Sequence, residues 1–293
     1  MTTIQQIKTQ LAKTKKVAAS FGLEKEVENI DNLITRYNSK QLTLLVCGEF
    51  KRGKSSFINA LLGDDVCPVA EGIATSVISV IRYGEQRKVI RHYGNVTDNG
   101  VEQRTEEIPF AEIGHFADGT VSDIDNTIML EIELPSDRLK TGLTVIDTPG
   151  VGSLDPRHLF LTLHALPKAD IIFFITDAGE PLTSTELDFY QKHILSTGKP
   201  NRVLVNKSDT KLREECSQIV EDTKNKIQER CHTKNIQVLP VSSKLWAEYN
   251  ADPDDEKKKQ KSHLEDILAA IDNVRKEYDE YFSEYIRSQY IDL

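Results

Sequence analysis

The stretch "GEFKRGKS" sets Gly48, Gly53, Lys54 and Ser55 at the spacing G-x-x-x-x-G-K-S. Glycines there let successive backbone N–H groups turn inward around phosphate oxygens. The lysine supplies a point charge to the outer phosphates, and the serine hydroxyl is suited to Mg²⁺. The expected phosphate contacts run from Glu49, Phe50, Lys51 and Arg52 at the tip to Gly53, Lys54, Ser55 and Ser56. A chance match should occur in roughly one chain per hundred of this length. The surroundings also fit, because strand-like "LTLLVC" precedes the loop and helix-like "SSFINALLG" follows it. That helix would add its positive N-terminal end to the cradle.

Two further motifs follow in order. "DTPG" begins at Asp147, 93 residues after Lys54, at the end of a predicted strand. An aspartate there can hold Mg²⁺ through a water, and the Gly150 N–H can contact a terminal phosphate. "NKSD" then follows the apolar run "RVLV". The Asp209 carboxylate can accept hydrogen bonds from both the N1–H and the 2-amino group of guanine, a pattern that adenine lacks. Asn206 would tie this loop to the phosphate loop, and the Lys207 stem would pack over the base. A threonine between the first two motifs should sense the terminal phosphate and reach Mg²⁺. Thr75 in "PVAEGIATS" is the candidate, with Ser76 second. Ser242, Ser243 and Lys244, after the last strand, could brace the guanine O6 through a backbone N–H. The metal set is therefore Ser55, Thr75 and, via water, Asp147. An ATP-driven enzyme is disfavoured by the Asn206-Lys207-x-Asp209 pattern.

Several elements must position these residues. Leu23, Val27, Ile30, Ile34 and Tyr37 recur at helical spacing, as do Ile4, Ile7 and Leu11, with a break at the glycine of "FGLEKE". From Leu42 short apolar runs alternate with helical ones, which predicts an α/β fold with a mixed, mostly parallel sheet covered by helices. The expected strands are "LTLLVC", "VISVIRYG", "KVIRHYG", "TIMLEIEL", "LTVIDTPG", "DIIFFIT", "RVLVN" and "IQVLPV". Thr183 and Glu186 fit a capping box, as do Ser262 and Glu265. "NADPDDEKKKQKS" reads as a solvated loop. Leu264, Leu268, Ile271, Val274, Tyr278, Tyr281 and Tyr285 then recur along a C-terminal helix, whose natural partner is the N-terminal helix. The expected divisions are 1–38 for N-terminal bundle helices, 39–250 for a nucleotide-binding domain, and 251–293 for a charged loop and bundle helix.

Composition bounds the partners. The 293 residues carry a net charge of -9, which disfavours nucleic acid. The four cysteines show no metal-type spacing and read as free thiols in a reducing cytoplasm. No apolar run approaches the ~18 residues of a membrane span. His158 and His164 are poorly spaced as ligands and read as surface or partner contacts. Trp246 reads as packing near a hinge between the two parts.

Taken together, "GEFKRGKSSFINALLG", "CPVAEGIATSVISVIRYG", "LTVIDTPGVGS", "LPKADIIFFITDAGEPLTSTELDF" and "LVNKSD" resemble the GTPase domain of the dynamin superfamily, bacterial dynamin-like proteins in particular, over roughly Leu42 to Lys244. The resemblance implies a P-loop GTPase domain with extra strands between Tyr83 and Thr127, and flanking helices forming a bundle or neck. It implies GTP hydrolysis with Mg²⁺, GDP as product, and stimulation by face-to-face homodimerisation. It also implies movement of the bundle with nucleotide state, and membrane remodelling by a cytoplasmic, peripherally membrane-associated protein. Two departures stand out. Eukaryotic dynamins carry glutamine and serine where this chain has Phe50 and Lys51, while guanylate-binding proteins place an arginine at the position of Lys51. Lys51 or Arg52 could supply positive charge in cis, or both could point to solvent. Family members also usually have a long helical stalk, so a stalk or a second dynamin-like chain is expected to complete the bundle. Val151 stands where Ras-like proteins place a water-orienting glutamine. A nucleotide-dependent scaffold with negligible hydrolysis is therefore the alternative.

Overall fold

The change from helical to strand periodicity at Leu42 is also where the molecule divides. A computed structural model describes residues 4–39, 41–69, 76–97, 100–118, 127–152, 156–233 and 236–275. One compact unit comprises residues 1–41 and 270–293, the other residues 42–269. In the first unit α1 (Ile4–Ser20) and α2 (Glu24–Ser39) form a helical hairpin. Gly22, at φ 69°, makes the turn. Lys15 and Asp31 pair across it, with Nζ 2.6 Å from Oδ2. Leu11, Ala18 and Ile30 are buried. Leu23, expected on the apolar face, sits at the turn and is exposed.

The second unit is built on a nine-stranded sheet. Its elements run β1 (Leu42–Cys47), α3 (Lys54–Leu62), β2 (Ile78–Tyr83), β3 (Lys88–Thr97), β4 (Gly100–Ile108), α4 (Ile113–Asp118) and β5 (Thr127–Leu134). There follow α5 (Asp137–Lys140), β6 (Leu143–Asp147), α6 (Pro156–Ala165), β7 (Ile171–Asp177), α7 (Ser184–Phe189) and β8 (Asn201–Asn206). The unit continues through α8 (Arg213–Cys231), β9 (Val238–Pro240), α9 (Ser243–Ala251) and α10 (Glu256–Ser262). The sheet order is β4-β3-β5-β2-β6-β1-β7-β8-β9. The run β6-β1-β7-β8-β9 is parallel throughout. β2 joins β6 antiparallel, and the β3–β4 hairpin extends that side. The central strands β1 and β7 are buried along nearly their whole length, as their unbroken apolar runs require.

Register sets the site. Val46 lies opposite Asp147, Cys47 opposite Phe174, and Asp177 opposite Asn206. The C-terminal ends of β1, β6, β7 and β8 therefore finish level, and their loops open on one edge, where ligands of α/β sheets bind. An aromatic cluster anchors the phosphate-loop helix. The Phe57 ring meets Phe173 at 6.1 Å and Trp246 at 5.8 Å, both edge-on. Trp246 is fully buried and joins α9 to α3 within the sheet-bearing unit. Asn250 Nδ2 adds a hydrogen bond to the Ala60 carbonyl at 2.7 Å.

Three expectations are corrected locally. The charged run after Trp246 is not all loop. Residues Glu256–Ser262 form α10, whose Asp255 cap accepts from the Lys258 N–H. Ser262 does not begin a capping box. Its Oγ donates to the Lys259 carbonyl and accepts from the Leu264 N–H, while Glu265 pairs with Lys259 at 3.0 Å. His158 is buried in α6, whereas His164 is exposed. Residues 264–275 are helical. Their buried positions are Leu264, Ile267, Ala270, Ile271 and Val274. Tyr278, Tyr281 and Tyr285 lie outside the described residues. Among those described, no helix is long and apolar enough to cross a membrane.

Candidate functional site

The loop after β1 is shaped by backbone that tolerates no side chain at two points. Gly48 has φ 149°, and a Cβ there would lie 2.2 Å from the Ile175 carbonyl oxygen. Gly53 has φ 86°, and its Cβ would meet Asn206 Nδ2 at 2.4 Å. Lys51 adopts φ 62° at the tip without being a glycine. This succession of turned peptides is the geometry that gathers N–H groups around an anion. Lys54 opens α3 and is buried, with Nζ donating to the Glu49 carbonyl at 2.9 Å. Burial holds its ammonium below the usual range, against the pull of Asp147. An ammonium tethered across the loop in this way is available to phosphate oxygens.

Ser55 Oγ donates to Asp147 Oδ2 at 3.0 Å, although 92 residues separate the two. Asp147 is almost fully enclosed, and its Oδ1 is buried without a hydrogen bond of ordinary geometry. Burial raises its pKa, opposed by Lys54 and by the Ser55 hydroxyl. A hydroxyl beside an under-coordinated buried carboxylate oxygen fits a hard divalent cation such as Mg²⁺. The "DTPG" stretch lies directly on the phosphate loop. Val151 N–H donates to the Gly48 carbonyl at 3.1 Å, and a Cβ on Gly150 would press on the Phe50 backbone at 2.9 Å. Val151 itself is buried. Thr75 lies outside the described residues, and Ser76 is half-buried.

The third motif is joined to the first through one side chain. Asn206 Nδ2 donates to the Arg52 carbonyl at 3.0 Å, while its Oδ1 accepts from Ser243 N–H at 3.2 Å and Ser243 Oγ at 2.9 Å. Lys207, at φ 62°, sends Nζ to Asp177 Oδ2 at 2.5 Å and to the Lys51 carbonyl at 3.1 Å. Asp177 is partly buried, which alone would raise its pKa. The Lys207 ammonium and the Gly179 N–H outweigh that and hold it below the usual carboxylate range. Asp209 is exposed, and its Oδ1 accepts from Ser242 Oγ at 2.5 Å. Ser242 is also the N-cap of α9, accepting from the Leu245 N–H at 3.1 Å. Helix α9 thereby fixes the orientation of the Asp209 carboxylate. The Ser243 N–H, expected to be open to a base, is engaged by Asn206, and Lys244 is exposed.

The two tip cations differ. Lys51 is exposed, with its ammonium 5.4 Å from the Phe50 ring centroid. Arg52 is gripped by carboxylates, with Nε 2.8 Å from Glu186 Oε1 and its fork 3.2 Å from Glu49 Oε2 and 3.6 Å from Glu180 Oε2. Sequence reasoning missed Glu180 and the second role of Glu186. The capping box itself was legible, and Thr183 and Glu186 form it. Nothing in the spacing could show that this cap lies beside the phosphate loop. Ser56, the last residue expected there, is half-buried on α3.

Three comparisons bear on identity. The family model described as "Dynamin family" matches residues 44–208, more than half of the chain. An uncharacterized protein in the xynA 3' region of Caldicellulosiruptor sp. is 32% identical over 207 residues, covering 70% of this chain and 50% of that protein. A bacterial dynamin-like protein of Nostoc punctiforme is 27% identical over 203 residues, covering 66% of this chain and 28% of that one. This chain thus spans half or less of these relatives' lengths. One chain of a solved oligomerised bacterial dynamin pair superposes with TM-score 0.71 at 16% identity, over 98% of this chain and 54% of that one. That likeness extends the shared architecture to the flanking helices. With its phosphate loop, buried aspartate and guanine-type loop on one sheet edge, the chain belongs to the dynamin family.

Proposed function

We propose that this chain binds GTP with Mg²⁺ and hydrolyses it to GDP and phosphate. In this reading the backbone N–H groups of the loop from Glu49 to Ser56 cradle the phosphates and the Lys54 ammonium offsets their charge. Ser55, Asp147 and Thr75 attend the cation, which when bound neutralises charge that develops on the phosphate oxygens. Asp209 reads guanine, Lys207 packs over the base, and Ser242, Ser243 and Lys244 frame it. The observation that carries the reading is the paired bracing of Asn206 on the Arg52 carbonyl and Ser242 on Asp209. It joins a base-reading carboxylate and a phosphate cradle in one hydrogen-bonded frame. GTP binding and phosphate release tested with excess ATP as competitor decide it. ATP displacing bound guanine nucleotide would contradict the proposal.

The finer reading is that homodimerisation through the GTPase units completes catalysis, that the helices at 1–38 and after residue 250 transmit the switch, and that the setting is peripheral to a membrane. The relation to bacterial dynamins supports it. Exposed Lys51 is the tip cation suited to compensate phosphate charge. Turnover per molecule should climb with protein concentration. A low, flat rate with clear binding would favour a scaffold that recruits a partner by nucleotide state. Buried Val151, which brings no polar group to a water, favours that second reading.

A further inference from the structure

Arg52 is held at both its ends. Its guanidinium meets Glu186 Oε1 at 2.8 Å and Glu49 Oε2 at 3.2 Å, and its carbonyl accepts from Asn206 Nδ2 at 3.0 Å. Glu186 is wholly buried. Its second oxygen, Oε2, accepts from the Thr183 N–H and from Thr176 Oγ, both at 3.0 Å. One carboxylate is therefore shared by the cap of α7, the end of β7 and the phosphate loop. The Thr183 and Thr185 hydroxyls also reach Glu49 Oε1, so α7 grips that loop at two residues.

A capping box needs a glutamate at this position but does not need it buried. Burying a carboxylate is costly unless a cation and further donors satisfy it, and here three groups do. The arrangement fixes the one peptide whose carbonyl anchors Asn206. If the Arg52 side chain let go, its peptide could rotate, Asn206 would lose an acceptor, and the two nucleotide-binding loops would come out of register.

We propose that Arg52 is a positioning residue and not a phosphate ligand. The Arg52–Glu186 pair, seated on the α7 cap, locks the phosphate loop to the guanine-reading loop and so sets nucleotide affinity and base discrimination. This rests on the GTP-binding reading above.

The test compares wild type with R52Q, E186Q, R52K and the double variant R52Q/E186Q. Affinity for a fluorescent GTP analogue with Mg²⁺ is measured, with ATP competition and thermal stability alongside. R52Q leaves a buried carboxylate without its cation and should lower the melting temperature most. Adding E186Q removes that charge and should restore much of it, since glutamine still serves a capping box. Affinity should nevertheless stay about tenfold weaker in R52Q, E186Q and the double variant alike, with GTP-over-ATP preference narrowed, because a misplaced loop is not repaired by restored stability. R52K should recover part of the affinity. Wild-type affinity in E186Q and in the double variant would make the pair structural only. Lost affinity in R52Q with E186Q unchanged would make Arg52 a direct phosphate ligand. Either result overturns the proposal. Failure of the wild type to bind guanine nucleotide overturns both this and the reading beneath it.

Discussion

At the scale of residues, the site is a set of close approaches. Gly48 allows the chain to turn after β1 where a Cβ would lie 2.2 Å from the Ile175 carbonyl oxygen. Gly48→Ala should therefore cost about 2–4 kcal/mol, from backbone strain and a backbone clash, as measured by denaturant unfolding. The thiols follow burial. Burial pushes the Cys47 thiol up to about 12, with Lys54 opposing, so at pH 8 almost none of it is thiolate. Cys67 is pushed up too, by burial and by the nearby Asp147 carboxylate. Only Cys231 is partly exposed. A thiol reagent at pH 8 should label Cys231 first and leave Cys47 unlabelled until the protein is denatured. Rapid labelling of Cys47 in the native protein would contradict the enclosed strand end. At this scale the motifs could be picked out as candidates, because phosphate and guanine each demand a fixed donor pattern, and the fold brings Ser55 to Asp147 and Asn206 to the Arg52 carbonyl. Ser242 was expected to brace a base through a backbone N–H, not to donate its hydroxyl to Asp209. That pairing depends on β8 and β9 finishing side by side.

At the scale of elements, caps and registers carry the site. Thr183 caps α7 through the Glu186 N–H at 3.2 Å, and Glu186 returns the bond. Thr183→Ala should cost about 1 kcal/mol of stability in denaturant melts. It should also weaken nucleotide binding, because the same cap seats Glu186 beneath Arg52. A stability loss with unchanged affinity would separate the two roles. The buried strands were easy to read as continuous apolar runs. β4 was not, because "VEQRTEEI" is charged and lies at the sheet edge, where polar residues discourage further pairing. α10 was hidden in the same way, since its sequence "EKKKQKS" shows no apolar stripe. Its helix follows from the Asp255 cap and the packing of Ser262, which is wholly buried. Asp255→Ala should cost about 1 kcal/mol by the same measurement.

At the scale of the whole molecule, a nine-stranded sheet aligns four strand ends so that three distant sequence motifs share one edge. The architecture was legible because alternating strands and helices admit few right-handed arrangements. The β3–β4 hairpin, which widens the sheet beyond β5, follows the expected insertion between Tyr83 and Thr127. The carboxylate network around Arg52 was not legible, because it joins residues 134 positions apart by tertiary packing alone. The central claim is that this edge holds a guanine nucleotide for hydrolysis. The most direct measurement is phosphate release from GTP, ATP and xanthosine triphosphate by wild type and Asp209→Asn, at matched and high protein concentration with Mg²⁺. The account predicts that wild type prefers GTP. It predicts that Asp209→Asn prefers the xanthine nucleotide, because an amide presents a donor where the carboxylate presented an acceptor. An Asp209→Asn protein that keeps the wild-type preference for GTP would contradict it.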